Sequence, residues 1–84
     1  MGLWIKADGS VKDIVPQNGK DYKWHELKKY VNGYIEIVRL GDGKIIVCNE
    51  EGKLIGLPVN WKASMMCGQT IVGDVVLCLD KEVK

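Results

Sequence analysis

The polar side chains that could hold a ligand lie beside turns or inside one alternating segment. Asn49 and Asn60 stand where strands or turns should end, and an amide there either mimics a backbone turn or hydrogen-bonds a base or a ribose. Asp74, after Gly73, either caps a strand end or bonds ribose hydroxyls. Glu36 lies in the alternating segment, where a half-buried carboxylate needs a cross-strand lysine or arginine, or a ligand. The ligand interpretation predicts a site made of Tyr34, Glu36, Asn49, Asn60, Trp61 and Asp74.

The sequence has three tryptophans and no phenylalanine. Trp24 falls on the apolar stripe of a predicted helix, so we expect it in the core. A chain of this size buries only roughly 63% of its surface, so we do not expect it to enclose all three indoles. An exposed tryptophan is a stacking platform for a base or an anchor for another subunit, and flexible methionines suit such an interface. The residues predicted for an interface are Trp4, Trp61, Met65 and Met66.

No group of residues has the spacing of a catalytic or metal-binding motif. Glu50 and Glu51 are adjacent on a predicted turn, so their carboxylates diverge instead of sharing a proton. His25 is the only histidine, and the cysteines form no C-x-x-C pair, which leaves a Cys–His nucleophile as a formal alternative without a motif. The three cysteines are Cys48, Cys67 and Cys78. We therefore predict that the protein is not an enzyme and holds no metal or cofactor.

Charge and length exclude several classes of protein. The 12 Lys+Arg against 11 Asp+Glu give a net charge of +1, without the basic excess that drives binding to nucleic acid. The longest uncharged apolar stretch, around Ile45–Cys48, is far shorter than the roughly 20 residues that span a bilayer. The sequence shows no secretion signal, and its odd number of widely spaced cysteines is typical of a reducing compartment. We expect one cytoplasmic domain, residues 1–84, without a membrane or nucleic-acid partner.

Hydrophobic periodicity predicts the elements that position these residues. The period is helical from Asp21, which is the predicted N-cap, to Gly33, which is the predicted left-handed residue that ends the helix. Asp8–Gly9 predicts a type I′ hairpin turn, and Gly73 predicts a bulge or a close backbone approach in the last strand. The irregular residues 58–69 leave room for one short helical turn. The predicted ranges are strands 3–7, 10–15, 34–40, 44–49, 53–57 and 70–79, and helix 22–32.

These elements define an α+β fold. The sheet is predicted to be small and mostly antiparallel, made of an N-terminal hairpin, a central three-strand meander and a C-terminal strand. One helix is expected to cover it. The strand at 44–49 is apolar on both faces, which places it inside the sheet.

Three short motifs carry a resemblance to a known family. They are G-Y-I-E at 33–36, N-E-E-G-K-L at 49–54 and L-P-x-N at 57–60, followed by Ile71–Val76. In this order, over about residues 27–79, the sequence resembles the family known as domain of unknown function 3846. The Trp4 strand and the segment 61–66 depart from the pattern. The resemblance implies a compact α+β domain in a phage, plasmid or other mobile element, and it brings no established catalytic residues.

Two functions from different classes follow. The first is a non-enzymatic binding protein of a phage or mobile element that sequesters a host nucleotide-type immune signal in a pocket between subunits of a homo-oligomer. The small size motivates it, because a lone domain has little concavity whereas a symmetric assembly uses one surface twice to form a cleft. The alternative is an interaction module that docks on and inhibits a host protein through residues 61–66. A third hypothesis, binding of single-stranded nucleic acid on exposed aromatics, is weakened by the neutral charge.

Overall fold

The computed structural model describes residues 2–83, so the single-domain prediction for 1–84 includes two residues outside the described range. It has an antiparallel sheet of five strands and two α-helices, which confirms the α+β prediction. The elements are β1 (Gly2–Ile5), β2 (Val11–Ile14), α1 (Trp24–Val31), β3 (Ile35–Gly41), β4 (Lys44–Asn49), α2 (Trp61–Cys67), β5 (Val75–Leu79) and a 3-10 turn (Asp80–Glu82).

The strand order in the sheet is β2-β1-β5-β4-β3. The hairpins β1–β2 and β3–β4 are both antiparallel, and β5 pairs antiparallel with β1 on one side and with β4 on the other. The last strand in sequence is therefore the central strand of the sheet, and it joins the two hairpins.

Each face of the sheet is covered by one helix, so the prediction of a single helix was wrong. On one face, Ile45, Val47 and Val76 form a buried cluster with Leu27 and Val31 of α1. On the opposite face, the intervening strand residues form a second cluster with Ala63 of α2. Its strand members are Ile5, Ile46, Cys48 and Val75. This two-sided burial explains why β4 is apolar at successive positions.

Helix α1 lies within its predicted range of 22–32 but is shorter, and both of its predicted end residues were wrong. The Glu26 carboxylate closes the first turn by accepting from the backbone N–H groups of Lys23, at 3.3 Å, and Gln17, at 2.9 Å. The helix ends at Asn32, which adopts the left-handed conformation at φ 64°. Gly33 does not have that conformation and serves close packing instead, because a Cβ there would lie 2.8 Å from Asn49 Nδ2.

The predicted strand at 53–57 was wrong. Residues 51–57 form successive turns, since Ile55 N–H donates to Glu51 O at 3.0 Å and Leu57 N–H donates to Gly52 O at 3.0 Å. The coil ends at Gly56, whose φ of 73° is the left-handed conformation that closes helical turns. The edge of β4 that such a strand would have paired with is occupied by β5.

The remaining differences lie at turns. The last strand begins at Val75 and not at 70, because Gly73 bends the chain at φ 78°. A Cβ at Gly73 would lie 2.8 Å from Leu57 Cδ1, so the predicted close approach at this glycine is confirmed. The first hairpin is confirmed, but its turn is a three-residue loop rather than type I′, since only Gly9 has a positive φ, 96°.

Candidate functional site

The two asparagines predicted to bind a ligand attach the helices to the sheet. Asn60 caps α2: its Oδ1 accepts from Ala63 N–H at 3.1 Å, and its Nδ2 donates to the carbonyl oxygens of Ile5 and Gly73, both at 2.9 Å. Its side chain is fully buried. These bonds occupy the amide of Asn60, which favours the turn and capping interpretation over a ligand.

Asn49 attaches α1 to the sheet. Its Nδ2 donates to the carbonyl oxygen of Val31, the last residue of the helix, at 3.0 Å, and to that of Asn32 at 3.3 Å. Its Oδ1 accepts from Glu51 N–H at 2.8 Å. The carbonyl of Val31, which has no partner within the helix, is thus satisfied by a buried side chain at the end of β4.

Asp74 and Trp4 also have partners within the chain. The Asp74 carboxylate accepts from Ala7 N–H at 2.9 Å and so holds the end of the first hairpin against the approach to β5. Trp4 packs against the α1-side cluster, donates from Nε1 to Tyr30 O at 3.2 Å and meets the Tyr30 ring edge-on at 5.2 Å. These contacts favour strand-end capping for Asp74 and do not support an interface role for Trp4.

Glu36 lies on the α2 side of the sheet and lines a small cleft. Its cross-strand partner is Cys48, so the predicted lysine or arginine partner is absent at that position. Burial, with a smaller effect of the Glu36 carboxylate, raises the pKa of the Cys48 thiol to about 11. The cleft, which also includes Asn49, Lys53 and Thr70, measures about 150 Å³. This is well below the roughly 300 Å³ of the smallest usual ligand pockets, so the cleft cannot enclose a nucleotide.

Two aromatic rings and two lysines line a larger groove on the α1 side. This aromatic groove, of about 560 Å³, is lined by Lys23, Trp24, His25, Lys28, Tyr34, Ile35 and Glu50. The side chains of Trp24 and Tyr34 are 56% and 63% exposed, and Lys28 Nζ lies 4.5 Å from the centroid of the Tyr34 ring. An ammonium group at this distance over a phenol ring is a cation–π contact.

Trp24 was predicted to lie in the core, and this prediction was wrong. Leu27 and Val31, on the same stripe of α1, are fully buried, whereas Trp24 is exposed at the first helical position. The core position beneath the start of the helix is occupied by Tyr22, which is fully buried and donates from its hydroxyl to Ile14 O at 3.2 Å. Helical periodicity cannot show which of two aromatic residues near the start of a helix lies in the core when there is space for only one beneath the helix.

The charges of the aromatic groove are mixed. Lys23 Nζ lies 3.2 Å from Asp21 Oδ1, and hydrogen bonding from Asn18, assisted by Lys23, lowers the pKa of the Asp21 carboxyl. Lys28 Nζ lies over the Tyr34 ring, and Glu50, in the turn after β4, also lines the groove. The groove therefore offers aromatic faces for stacking, ammonium groups for an anion and one carboxylate as a hydrogen-bond acceptor.

The predicted site residues do not form one cluster. Tyr34 lines the aromatic groove on the α1 side, whereas Glu36 lines the cleft on the α2 side. Trp61 is 72% exposed on α2, and Met65, one turn later, is 84% exposed. Trp24 and Lys28 were not predicted from the sequence as groove residues. Their spacing of four residues nevertheless indicates that the two side chains lie on one face of the helix.

Within residues 2–83, no group of three metal-ligating side chains is close enough to hold a metal ion. No helix in this range is long and apolar enough to cross a membrane.

The fold and its surface features define a small α+β domain with an aromatic groove beside one helix. Residues 4–83 match the family described as Domain of unknown function (DUF3846), and the chain belongs to that family. The match includes the Trp4 strand and the α2 segment. Comparison with curated proteins and with solved structures gives no match.

Proposed function

We propose that this protein is a non-enzymatic binding protein that sequesters a nucleotide-type ligand in the aromatic groove. The observation that carries the proposal is the placement of the Lys28 ammonium over the Tyr34 ring, in a groove that also exposes Trp24. The setting follows the family resemblance: a phage or other mobile element whose protein withdraws an immune signal of this class from the host cytoplasm.

The chemistry of the groove suits a mononucleotide or a cyclic nucleotide. A base stacks on an exposed aromatic side chain with about 1–3 kcal/mol, and every base has such a face. Lys23 and Lys28 supply positive charge for phosphate oxygens, and Glu50 accepts a hydrogen bond from a ribose hydroxyl or an exocyclic amine. The groove lies on one chain, so this proposal replaces the predicted pocket between subunits.

Binding without turnover is supported by the state of the thiols. Burial raises the pKa of Cys48 to about 11 and that of Cys78 to about 12, so both thiols are protonated at neutral pH and are poor nucleophiles. His25 lines the aromatic groove, whereas Cys48 lines the cleft around Glu36. His25 and Cys48 thus line different clefts.

Isothermal titration calorimetry with purified protein tests the proposal. The panel contains mononucleotides, cyclic dinucleotides and glycocyclic nucleotides, each at low and at moderate salt. We expect heat from at least one member, with affinity that falls as salt rises because the lysines contact phosphate. Trp24→Ala and Tyr34→Ala should each weaken binding by roughly tenfold, in keeping with the loss of one stacked base.

Trp61→Ala is the matched control, since Trp61 is an exposed indole that lies on the opposite helix. It should leave the affinity unchanged. The proposal is wrong if no member of the panel gives heat or a thermal shift. It is also wrong if Trp61→Ala removes binding while Trp24→Ala does not.

A further inference from the structure

The cleft around Glu36 brings together two of the short motifs that carry the family resemblance. Glu36 comes from G-Y-I-E, and Lys53 comes from N-E-E-G-K-L. Glu36 and Cys48 are a cross-strand pair, so their side chains lie on the same side of the sheet, where Cys48 belongs to the α2-side cluster. Cys48 and Ile71 are buried, whereas Glu36, Lys53 and Thr70 are exposed. This cleft, which we call the Glu36 cleft, therefore has a buried base and a polar rim.

Two segments outside the strands form the walls of the Glu36 cleft. The first is the series of turns at 51–57, which packs closely on the second segment: a Cβ at Gly52 would lie 2.7 Å from Val72 Cγ2. The second segment, residues 69–72, is fixed to α2 because Ile71 N–H donates to Ser64 Oγ at 2.8 Å. Contacts within the chain thus set the positions of both walls, and a preformed site spends little free energy on ordering when a ligand binds.

The Glu36 cleft carries charges of both signs that do not pair with each other. Glu36 and Lys53 both line it, and within residues 2–83 neither side chain forms a hydrogen bond or an ion pair. Both act on the thiol at the base. Burial raises the pKa of Cys48 to about 11, and Glu36 adds to this effect whereas Lys53 opposes it. A carboxylate and an ammonium group thus flank one small space.

The volume of the Glu36 cleft limits the size of a ligand. Its 150 Å³ equals that of an engineered protein cavity known to hold benzene, so a ligand of roughly six to eight non-hydrogen atoms fits. Part of the lining is apolar, from Val38, Leu54 and Val72. The space therefore suits a small molecule that combines charged groups with a short aliphatic part.

We propose that the Glu36 cleft binds a small zwitterionic amino acid. The ammonium group of the ligand donates to the Glu36 carboxylate, and the carboxylate of the ligand accepts from Lys53 Nζ. Thr70 supplies a hydroxyl, and Val38 and Val72 contact the aliphatic part. A diamine would bring a like charge to Lys53, and a simple carboxylic acid would bring one to Glu36. A ligand with both charges matches both residues.

Titration of isotope-labelled protein, followed by amide NMR spectra, tests the proposal. The probes are three small zwitterions: L-alanine, L-serine and γ-aminobutyrate. Propionate and ethylamine are the matched control ligands, because propionate is alanine without its ammonium group and ethylamine is alanine without its carboxylate. We expect at least one zwitterion to shift the amides of Glu36, Cys48 and Lys53 in a saturable way. The control ligands should bind about tenfold more weakly or worse.

Substitutions at the rim supply a second test. Glu36→Gln and Lys53→Gln should each weaken binding of the zwitterion by about tenfold, because each removes one of the two charges. Glu51→Gln changes an exposed carboxylate outside the cleft lining and should leave the affinity unchanged. Circular dichroism checks that each variant folds, and the control ligands test the proposal without any variant.

Three results would overturn the proposal. The first is the absence of shifts in the cleft with any zwitterion at tens of millimolar. The second is binding of propionate or ethylamine as tight as that of the zwitterions. The third is an equal loss in Glu51→Gln and Glu36→Gln. The nucleotide proposal is tested separately, since Trp24 lines the aromatic groove and Trp24→Ala should leave amino-acid binding unchanged.

Discussion

On both sides of the sheet the helix is attached in the same way, but the outer surfaces of the two helices differ. On each side one buried asparagine ties a helix to the strands: Asn49 holds the end of α1, and Asn60 holds the start of α2. The exterior of α1 is polar, with His25, Lys28 and Lys29 exposed and with the exposed Lys23 directly before Trp24. The exterior of α2 carries Trp61, Met65 and Met66. The exterior of α1 is therefore mostly polar, whereas the exterior of α2 is mostly apolar.

The largest effect is expected at the α2 attachment. Asn60→Ala leaves the carbonyl oxygens of Ile5 and Gly73 without their donor in a fully buried position. Each unsatisfied buried group costs about 1–3 kcal/mol, so we expect the free energy of unfolding to fall by about 3 kcal/mol. Urea unfolding followed by circular dichroism measures it, with the exposed Gln69→Ala as control. A loss similar to that of Gln69→Ala would show that Asn60 is not an anchor.

The matching change on the α1 side should be smaller. Asn49→Ala releases the buried carbonyl of Val31, but the N–H of Glu51 and the carbonyl of Asn32 are only partly buried, so water can replace those bonds. We expect a loss of about 2 kcal/mol. Because the two asparagines lie on opposite sides without a shared partner, the double variant should show additive losses within about 0.5 kcal/mol. Strong non-additivity would mean that the two sides of the sheet do not act independently.

A smaller effect is expected at the start of α1. Glu26→Ala removes the acceptor of the backbone N–H groups of Lys23 and Gln17. Loss of an N-terminal cap costs about 1 kcal/mol, and thermal unfolding should detect it. Lys29→Ala, at an exposed position of the same helix, is the control. If the two variants are equally stable, the capping bonds contribute nothing measurable.

Each core contains one buried cysteine, and alkaline pH should lower the free energy of unfolding through both thiols. At neutral pH the two thiols should have no such effect. Burial raises the pKa of Cys48, on the α2 side, from 9.0 to about 11, and that of Cys78, on the α1 side, from 9.0 to about 12. The folded chain therefore holds protons that the unfolded chain loses above pH 9.0. The free energy of unfolding should be constant below that pH with respect to these groups and should fall as pH rises toward 11–12.

Urea unfolding at about pH 8 and about pH 10.5, which lie below and above the ordinary thiol pKa, measures this loss. Cys48→Ala and Cys78→Ala should each reduce it, and part should persist because burial also raises the pKa of Tyr22. An equal pH dependence in both variants and in the unchanged chain would contradict the assignment to the thiols.

The α1 side of the fold could be predicted from the sequence, whereas most of the α2 side could not. The stripe at Leu27 and Val31 and the alternation in β3 and β4 are direct consequences of burial on one or two faces. Helix α2 gives no such stripe, because Ala63 is its only fully buried residue. The available signals were an N-cap at Asn60 and Gly68, which ends the helix at φ 67°.

The candidate site was predictable only in part. Tyr34 was selected from its aromatic type and position, and it lines the aromatic groove. Trp24 was assigned to the core because periodicity does not show that Tyr22 already fills the space below the helix. Asn49 and Asn60 were selected as candidate ligand-binding amides, but residue type alone does not distinguish a ligand contact from a bond to a distant carbonyl.

The central position of β5 has a consequence for synthesis of the chain. The hairpins β1–β2 and β3–β4 are joined through this strand, which follows both in sequence. The two hairpins of a nascent chain therefore cannot be joined until residues 75–79 leave the ribosome, and the strand edges that β5 covers stay open until then. Closure of the sheet is then a late, long-range step, since Leu77 must insert between Leu3 and Ile46.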